Sequence, residues 1–317
     1  MILFEGIIFF LISYILGLIT LPKVKNFGVK FGLYDYIDKR KINTIPLIRI
    51  GGICIIFTFL FSLFIFKLYK LDLSIFNQPI IYAPILFSII GLIDDISNLS
   101  TFKKLISQIL ISLFLYFQGI NIGNLYDFSN YNIFLEYLSK FDLIFTIIWI
   151  VGLTNAINWT DGLDGLAAGI SVIFSISLLI ISYHQNNADL TIILFLIIGS
   201  CLAFLKSNYY PAKIIMGDSG SYFLGSFIAI SSISVFSLTS NESSIFVPLL
   251  ILFIPISDMG IVIFKRLINR KSPFSADKSH LHHRLIKKIS SHKKTVLIIH
   301  FFSIIFSCLG LIFFFKI

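Results

Sequence analysis

Apolar runs of about twenty residues, separated by short polar links, limit what this chain can fold into more than any other feature. They fall at 2–21, 50–66, 79–96, 105–120, 142–157, 165–183, 190–205, 219–238, 245–264 and 295–315. A helix of that length matches the ~30 Å hydrocarbon core of a bilayer. The chain is 57% hydrophobic and 13% charged, whereas a soluble domain is about half apolar and about a quarter charged. The expected fold is therefore an all-α polytopic membrane protein of about ten transmembrane helices. No polar interval is much longer than about thirty residues, so residues 1–317 read as a single integral-membrane domain. The first run lacks a basic leader, carries Glu5, and is expected to stay as a helix. Cys54, Cys201 and Cys308 all lie inside apolar runs, where they read as small hydrophobes without disulfide or Cys-based metal spacing.

The net charge of +9 raises nucleic acid as a partner, but its distribution points to topology. With ten spans, only Lys67, Lys70, Lys140 and Lys316 of the 25 Lys and Arg fall on one side. The richer side is expected to be cytoplasmic, with both termini outside. The same parity gathers the unusual polar residues on that face: Asp94-Asp95, the Asn155–Gly165 stretch, Asn208, Met216–Gly220 and the histidines near 280. One composite active site at the cytoplasmic face is the economical reading.

Each piece has a chemical reason to matter. Asn155, Asn158, Asp161 and Asp164 recur every third residue, covering one broad polar face before two Asp-Gly pairs turn the chain. A polar turn between two helices is the plainer reading, although carboxylates at a membrane boundary are expensive enough to be functional by default. Asp94 and Asp95 end an apolar run, where negative charge opposes the helix dipole. One could hold a divalent cation with substrate phosphates while the other serves as a base. Lys103 and Lys104 open the next span, as phosphate contacts or as positive-inside anchors. Gly217-Asp218-Ser219-Gly220 precedes a long helix, which suits phosphate, or Asp218 is only a helix cap. His280, His282 and His283, followed by Arg284, lie in a basic loop with Asp277; contact with phosphate or sugar is favoured over zinc. Asp258 is a secondary candidate, and residues 23–52 are a basic stretch suited to a membrane surface or to phosphate.

Four segments carry a resemblance. They are Gly91-Leu-Ile-Asp-Asp95, Asn155 through Ala167, Asn208-Tyr-Tyr-Pro-Ala212 running into Met216-Gly-Asp-Ser-Gly220, and Ser272–Asp277 leading to His280-Leu-His-His283. In order and type they resemble the motifs of the polyprenyl-phosphate N-acetylhexosamine-1-phosphate transferases, glycosyltransferase family 4. The His-x-His-His form resembles the N-acetylglucosamine-1-phosphate branch. The resemblance implies transfer of a sugar 1-phosphate from a UDP-N-acetylhexosamine to undecaprenyl phosphate at the plasma membrane, with release of UMP. It implies Mg²⁺, with Mn²⁺ as the alternative, and permits a homodimer; nucleic acid is not an expected partner. It further implies Asp94 and Asp95 as catalytic residues and Asp218 with Asn158 at the metal. Asp161, Asp164, Asn208, Lys104, His280, His282, His283 and Arg284 would bind substrate. Two alternatives remain: the phospho-N-acetylmuramoyl-pentapeptide transferase reaction, and a lipid-phosphate flippase. One departure is Ile48-Arg49 before the Gly51-Gly52 pair, where the family often has Pro-Arg.

Overall fold

The computed structural model describes residues 2–35, 46–70, 78–122, 141–236, 246–273 and 279–316. Lys39, Arg40 and Lys41 of the basic stretch, and Asp277, lie outside them. Among the described residues, each apolar run expected to span the membrane is mainly helical. The helices are α1 (Ile2–Lys30), α2 (Gly51–Lys70), α3 (Pro79–Ser97), α4 (Thr101–Phe117), α5 (Asp142–Thr160), α6 (Leu166–His184), α7 (Ala188–Asn208), α8 (Gly217–Phe236), α9 (Phe246–Ile251), α10 (Phe253–Ile268), α11 (Leu281–Ile289) and α12 (His292–Lys316). Eight of these, namely α1, α2, α3, α5, α6, α7, α8 and α12, are long and apolar enough to cross a membrane. Among the described residues the chain is thus almost wholly helical, and it is a multi-pass membrane protein. α4 is shorter, and the run at 245–264 is broken at Leu252. Pro255 accounts for the break, because it has no N–H to give Ile251 and its ring crowds that carbonyl.

α8 is the axis of the bundle. Its apolar window is 94% buried, against 22% for α1 and 28% for α12. A helix enclosed on all sides has no polar face, and its hydroxyls turn inward: Ser226 and Ser232 donate to the carbonyls of Tyr222 and Ala229. Small residues let neighbours approach closely. A Cβ on Gly91 of α3 would collide with the Asp218 carbonyl, and one on Gly52 of α2 with the backbone of Gly220. The outer helices present Phe4, Leu11 and Ile15 of α1 and Phe301 and Ile304 of α12 outward, as lipid-facing surfaces should.

Two connections place the site. A short antiparallel pair, β1 (Tyr34–Asp35) with β2 (Leu47–Ile48), follows α1 in the register Tyr34↔Ile48 and Asp35↔Leu47. The chain after β2 then runs beside the α7–α8 link: Ile215 N–H donates to Ile48 O at 2.9 Å, Gly51 N–H to Ile215 O at 2.9 Å and Gly52 N–H to Met216 O at 2.7 Å. Arg49 lies inside this stapled segment and is carried to the mouth of α8.

Candidate active site

The ends of α3 and α5, the starts of α4 and α8, and the segment before α2 meet at one end of the bundle. Asp94 and Asp95 are neighbours in sequence, but successive helical residues point about 100° apart. Asp95 faces α8, and its side chain is 0% exposed. Its Oδ1 accepts the Asp218 N–H at 2.9 Å and its Oδ2 the Ser219 N–H at 3.0 Å. It is an N-cap supplied by another helix, so both of its carboxylate oxygens accept from the start of α8. Asp94 faces outward from that contact. Its Oδ1 accepts the Leu99 N–H at 2.7 Å and its Oδ2 accepts from Lys104 Nζ at 2.9 Å. Lys104 also lies 3.5 Å from Asp218 Oδ2 and so bridges the Asp94 and Asp218 carboxylates. Asn158 of α5 completes this contact set, its Nδ2 donating to Asp218 Oδ1 at 3.1 Å and to Ser221 Oγ at 2.9 Å.

Arg49 is the second cation among these acids. Its Nε is 2.9 Å from Asp95 Oδ1, and its Nη2 is 3.4 Å from Asp218 Oδ1 and 3.9 Å from Asp94 Oδ2. Asp35 stands at 4.0 Å on the far side. Burial opposes the charge on the guanidinium, but Asp218, Asp95, Asp35 and Asp94 outweigh it and raise the Arg49 pKa. A cleft of about 310 Å³, lined by Tyr34, Asp35, Asp95 and Asn98, opens beside Arg49. Sequence reasoning noted Arg49 only beside the Gly51-Gly52 pair, in a stretch suited to a membrane surface or to phosphate, and did not place it among the site residues.

Asp161 caps the end of α5 and is half-buried. Burial raises its pKa well above the ordinary value, and the negative charges of Asp218, Asp95 and Asp164 add to the rise. The rest of its turn is fixed to the backbone. Asp164 Oδ2 accepts the Ala212 N–H at 3.0 Å, Asn208 Oδ1 accepts the Gly165 N–H at 3.0 Å, and Asn208 Nδ2 donates to Ile214 O at 2.9 Å. Asp164 and Asn208, expected at the substrate, direct these groups to holding the turn against the α7–α8 link.

The histidine segment packs behind α5. His280 Nδ1 is 3.2 Å from Asp258 Oδ2, and Asp258 Oδ1 also accepts the Leu281 N–H at 2.7 Å, which starts α11. The Trp159 ring sits 5.2 Å from His280 and 5.1 Å from the Arg266 guanidinium carbon. His282 is 3% exposed and lies against Gly162, and its Nε2 has no hydrogen-bond partner among the described residues. Arg284 is exposed and His283 half-buried, so these two, not His280 and His282, face outward.

The family model for glycosyl transferase family 4 matches residues 78–236, the stretch that supplies Asp94, Lys104, Asn158, Asp161 and Asp218. The chain belongs to this family. It is 33% identical to a probable undecaprenyl-phosphate N-acetylglucosaminyl 1-phosphate transferase of Bacillus subtilis, over 95% of this chain and 83% of the relative. It is 31% identical to a decaprenyl-phosphate N-acetylglucosaminephosphotransferase of Mycobacterium leprae, over 84% of this chain and 73% of that one. A phospho-N-acetylmuramoyl-pentapeptide-transferase of Listeria monocytogenes is 33% identical over a shorter stretch, 71% of this chain and 74% of its own.

In this family 4 transferase, burial of His282 gives the protein a pH dependence whose sign can be worked out. Burial first, then the neighbouring His283 and His280, lowers its pKa from 6.5 to about 3. The unfolded chain binds a proton there that the folded one refuses, so stability falls as pH drops from 6.5 towards 3. At about 1.4 kcal/mol per pH unit, the loss approaches ~2 kcal/mol at pH 5. Melting curves at pH 7 and pH 5 should show a drop for the native chain that His282→Leu reduces. An equal drop in both would place the effect elsewhere.

Proposed function

We propose that this chain transfers N-acetylglucosamine 1-phosphate from its UDP-sugar to undecaprenyl phosphate, releasing UMP, at the cytoplasmic face of the plasma membrane. The observation that carries the reading is the contact set at the bundle end, where Asp94, Asp218, Lys104, Arg49 and Asn158 meet. The names of the two N-acetylglucosamine relatives support the sugar and a polyprenyl-phosphate acceptor, and that of the Bacillus subtilis relative supports the undecaprenyl chain. Ten crossings belong to the same proposal. α4 and the broken α9–α10 pair would supply the two beyond the eight long helices, and the Lys and Arg bias supports a site on the cytoplasmic face.

The donor set suits Mg²⁺. The carboxylates of Asp94, Asp95, Asp161 and Asp218 and the amide of Asn158 offer hard oxygen donors. Mg²⁺ takes one or two carboxylates and completes its shell with substrate phosphates and water. Asp218 and Asn158 would hold it, with Asp161 alongside. When bound, Mg²⁺ neutralises charge developing on the diphosphate.

The chain's own residues perform the remaining work. Lys104 bonds Asp94 Oδ2 at rest. An arriving lipid phosphate draws Lys104 to itself, which frees that oxygen to accept the proton of the phosphate monoester. The phosphate oxygen then forms a bond to the β-phosphorus, and the bond to the UMP oxygen breaks with its electrons leaving on UMP. Arg284 and His283 present donors from the outward face of α11 for the sugar phosphate.

Purified protein with Mg²⁺, undecaprenyl phosphate and radiolabelled UDP-N-acetylglucosamine should produce labelled lipid that appears with UMP. Labelled lipid only with UDP-N-acetylmuramoyl-pentapeptide would move the activity to that branch. No labelled lipid with any UDP-N-acetylhexosamine would remove the transferase reading.

A further inference from the structure

Three histidines from the C-terminal part of the chain close on alternate positions, 162, 164 and 166, along the turn that carries Asp161 and the first residue of α6. His282 of α11 abuts Gly162, where a Cβ would collide with its Nε2. His292, the first residue of α12, receives the Asp164 N–H at 2.9 Å on Nε2. His300, two turns further along α12, has Nε2 at 3.2 Å from Leu166 O. The partners fix the ring states. A carbonyl only accepts, so His300 donates from Nε2; a backbone N–H only donates, so His292 presents a bare Nε2. The His292 ring also rests on Tyr210, with centroids 4.6 Å apart.

The turn needs these partners. Asp164 and Gly165 lie between α5 and α6, outside any helical ladder, and both are buried. Buried backbone N–H groups must be satisfied. The Gly165 N–H goes to Asn208 and the Leu166 N–H to Leu163 O at 3.0 Å, whereas the Asp164 N–H goes to His292. Asp164 is thus gripped at both ends, by His292 through its N–H and by Ala212 through its carboxylate. Asp161 is three residues upstream on the same turn.

We propose that His292 is a positioning residue: its unprotonated Nε2 holds the Asp164 N–H and so sets where the Asp161 carboxylate stands relative to Asp218. The kinetic part rests on the transferase reading; the structural part does not. Misplacement of a reacting group by about 1 Å costs on the order of 100-fold in rate, so the consequence belongs in turnover more than in lipid binding.

Gln and Phe at position 292 separate the acceptor from the ring. His292→Gln keeps an acceptor at the Nε2 position, whereas His292→Phe keeps the packing on Tyr210 and removes the acceptor. The full-length protein in lipid nanodiscs is assayed for kcat, for KM with undecaprenyl phosphate, and for amide exchange at residues 161–165. His292→Phe should lose roughly 10-fold to 100-fold in kcat with KM changed less, and its Asp164 amide should exchange faster. His292→Gln should recover most of the turnover and the slow exchange. Wild-type kcat and exchange in His292→Phe would overturn the proposal, as would a Gln variant as impaired as Phe. If His292→Phe does not accumulate, His292→Leu takes its place as the acceptor-free variant under the same criteria. If the native chain itself transfers no sugar phosphate, the transferase reading falls, and the exchange comparison alone judges His292.

Discussion

Asp218→Asn should reduce sugar-phosphate transfer by on the order of 10²–10³-fold and should lower stability modestly. The two halves of this expectation have one origin. The Asp218 carboxylate faces Arg49 Nη2 at 3.4 Å and Lys104 Nζ at 3.5 Å, and Asp95 caps the helix it opens. An amide leaves both cations with one carboxylate fewer, in a partly buried setting where such pairs count for more than at the surface. An amide keeps an oxygen for Asn158 Nδ2, which now donates to Asp218 Oδ1 at 3.1 Å. It removes one negative charge from the group facing Arg49 and Lys104, and with it the strongest oxygen donor proposed for the metal. Turnover with saturating Mg²⁺ and both substrates measures the loss, and melting of the same preparation measures stability. A variant that retains more than about a tenth of the turnover would show that Asp218 is not at the chemical centre, because an effect that small is within reach of lost binding alone.

The helical segments, and the placing of the acids at one end of the bundle, were legible because a membrane imposes both. Each apolar run has to be a helix to satisfy its backbone, and alternating direction then brings every second link to the same side. Individual duties were harder to read. Asp94-Asp95 reads as a pair, yet the helix turns them apart, one to Lys104 and the other to the start of α8. Asn155 and Asn158 share a polar stripe, but Asn155 Nδ2 donates to Gln108 Oε1 and Asn158 reaches Asp218. Asp164 and Asn208 look like ligands for the same reason that they make good pins, since both offer short, hydrogen-bonding side chains near a turn. The histidines divide likewise: His280 and His282 turn inward, and His292, unremarked in the sequence, grips the Asp161 turn from 128 residues away. Pairings of that separation have no local signature. Arg49 was hidden in another way, by a run of basic residues that a membrane surface explains equally well.

Arg49→Met is the substitution expected to damage the protein most broadly. The guanidinium is the one described side chain that reaches Asp35, Asp94, Asp95 and Asp218 together. Removing it leaves Asp95 with its two N–H partners but no cation, inside the bundle. Breaking a buried pair by deleting one partner costs about 3–5 kcal/mol; because Arg49 is 23% exposed, the lower end, about 3 kcal/mol, is the expected loss. Transfer should fall by at least ~100-fold, since Asp218 and Asp161 lose the charge that steadies them. Arg49→Lys restores a cation without the planar fork, whose Nε and Nη2 reach different carboxylates at once. It should recover most of the stability and only part of the turnover. The double variant Arg49→Met/Asp95→Asn separates the two effects: deleting both charges should return stability towards the native value while transfer stays low. If the double variant melts no higher than Arg49→Met, the ion pair with Asp95 is not what Arg49 contributes to the fold. If Arg49→Met turns over at the native rate, the guanidinium is a surface anchor after all.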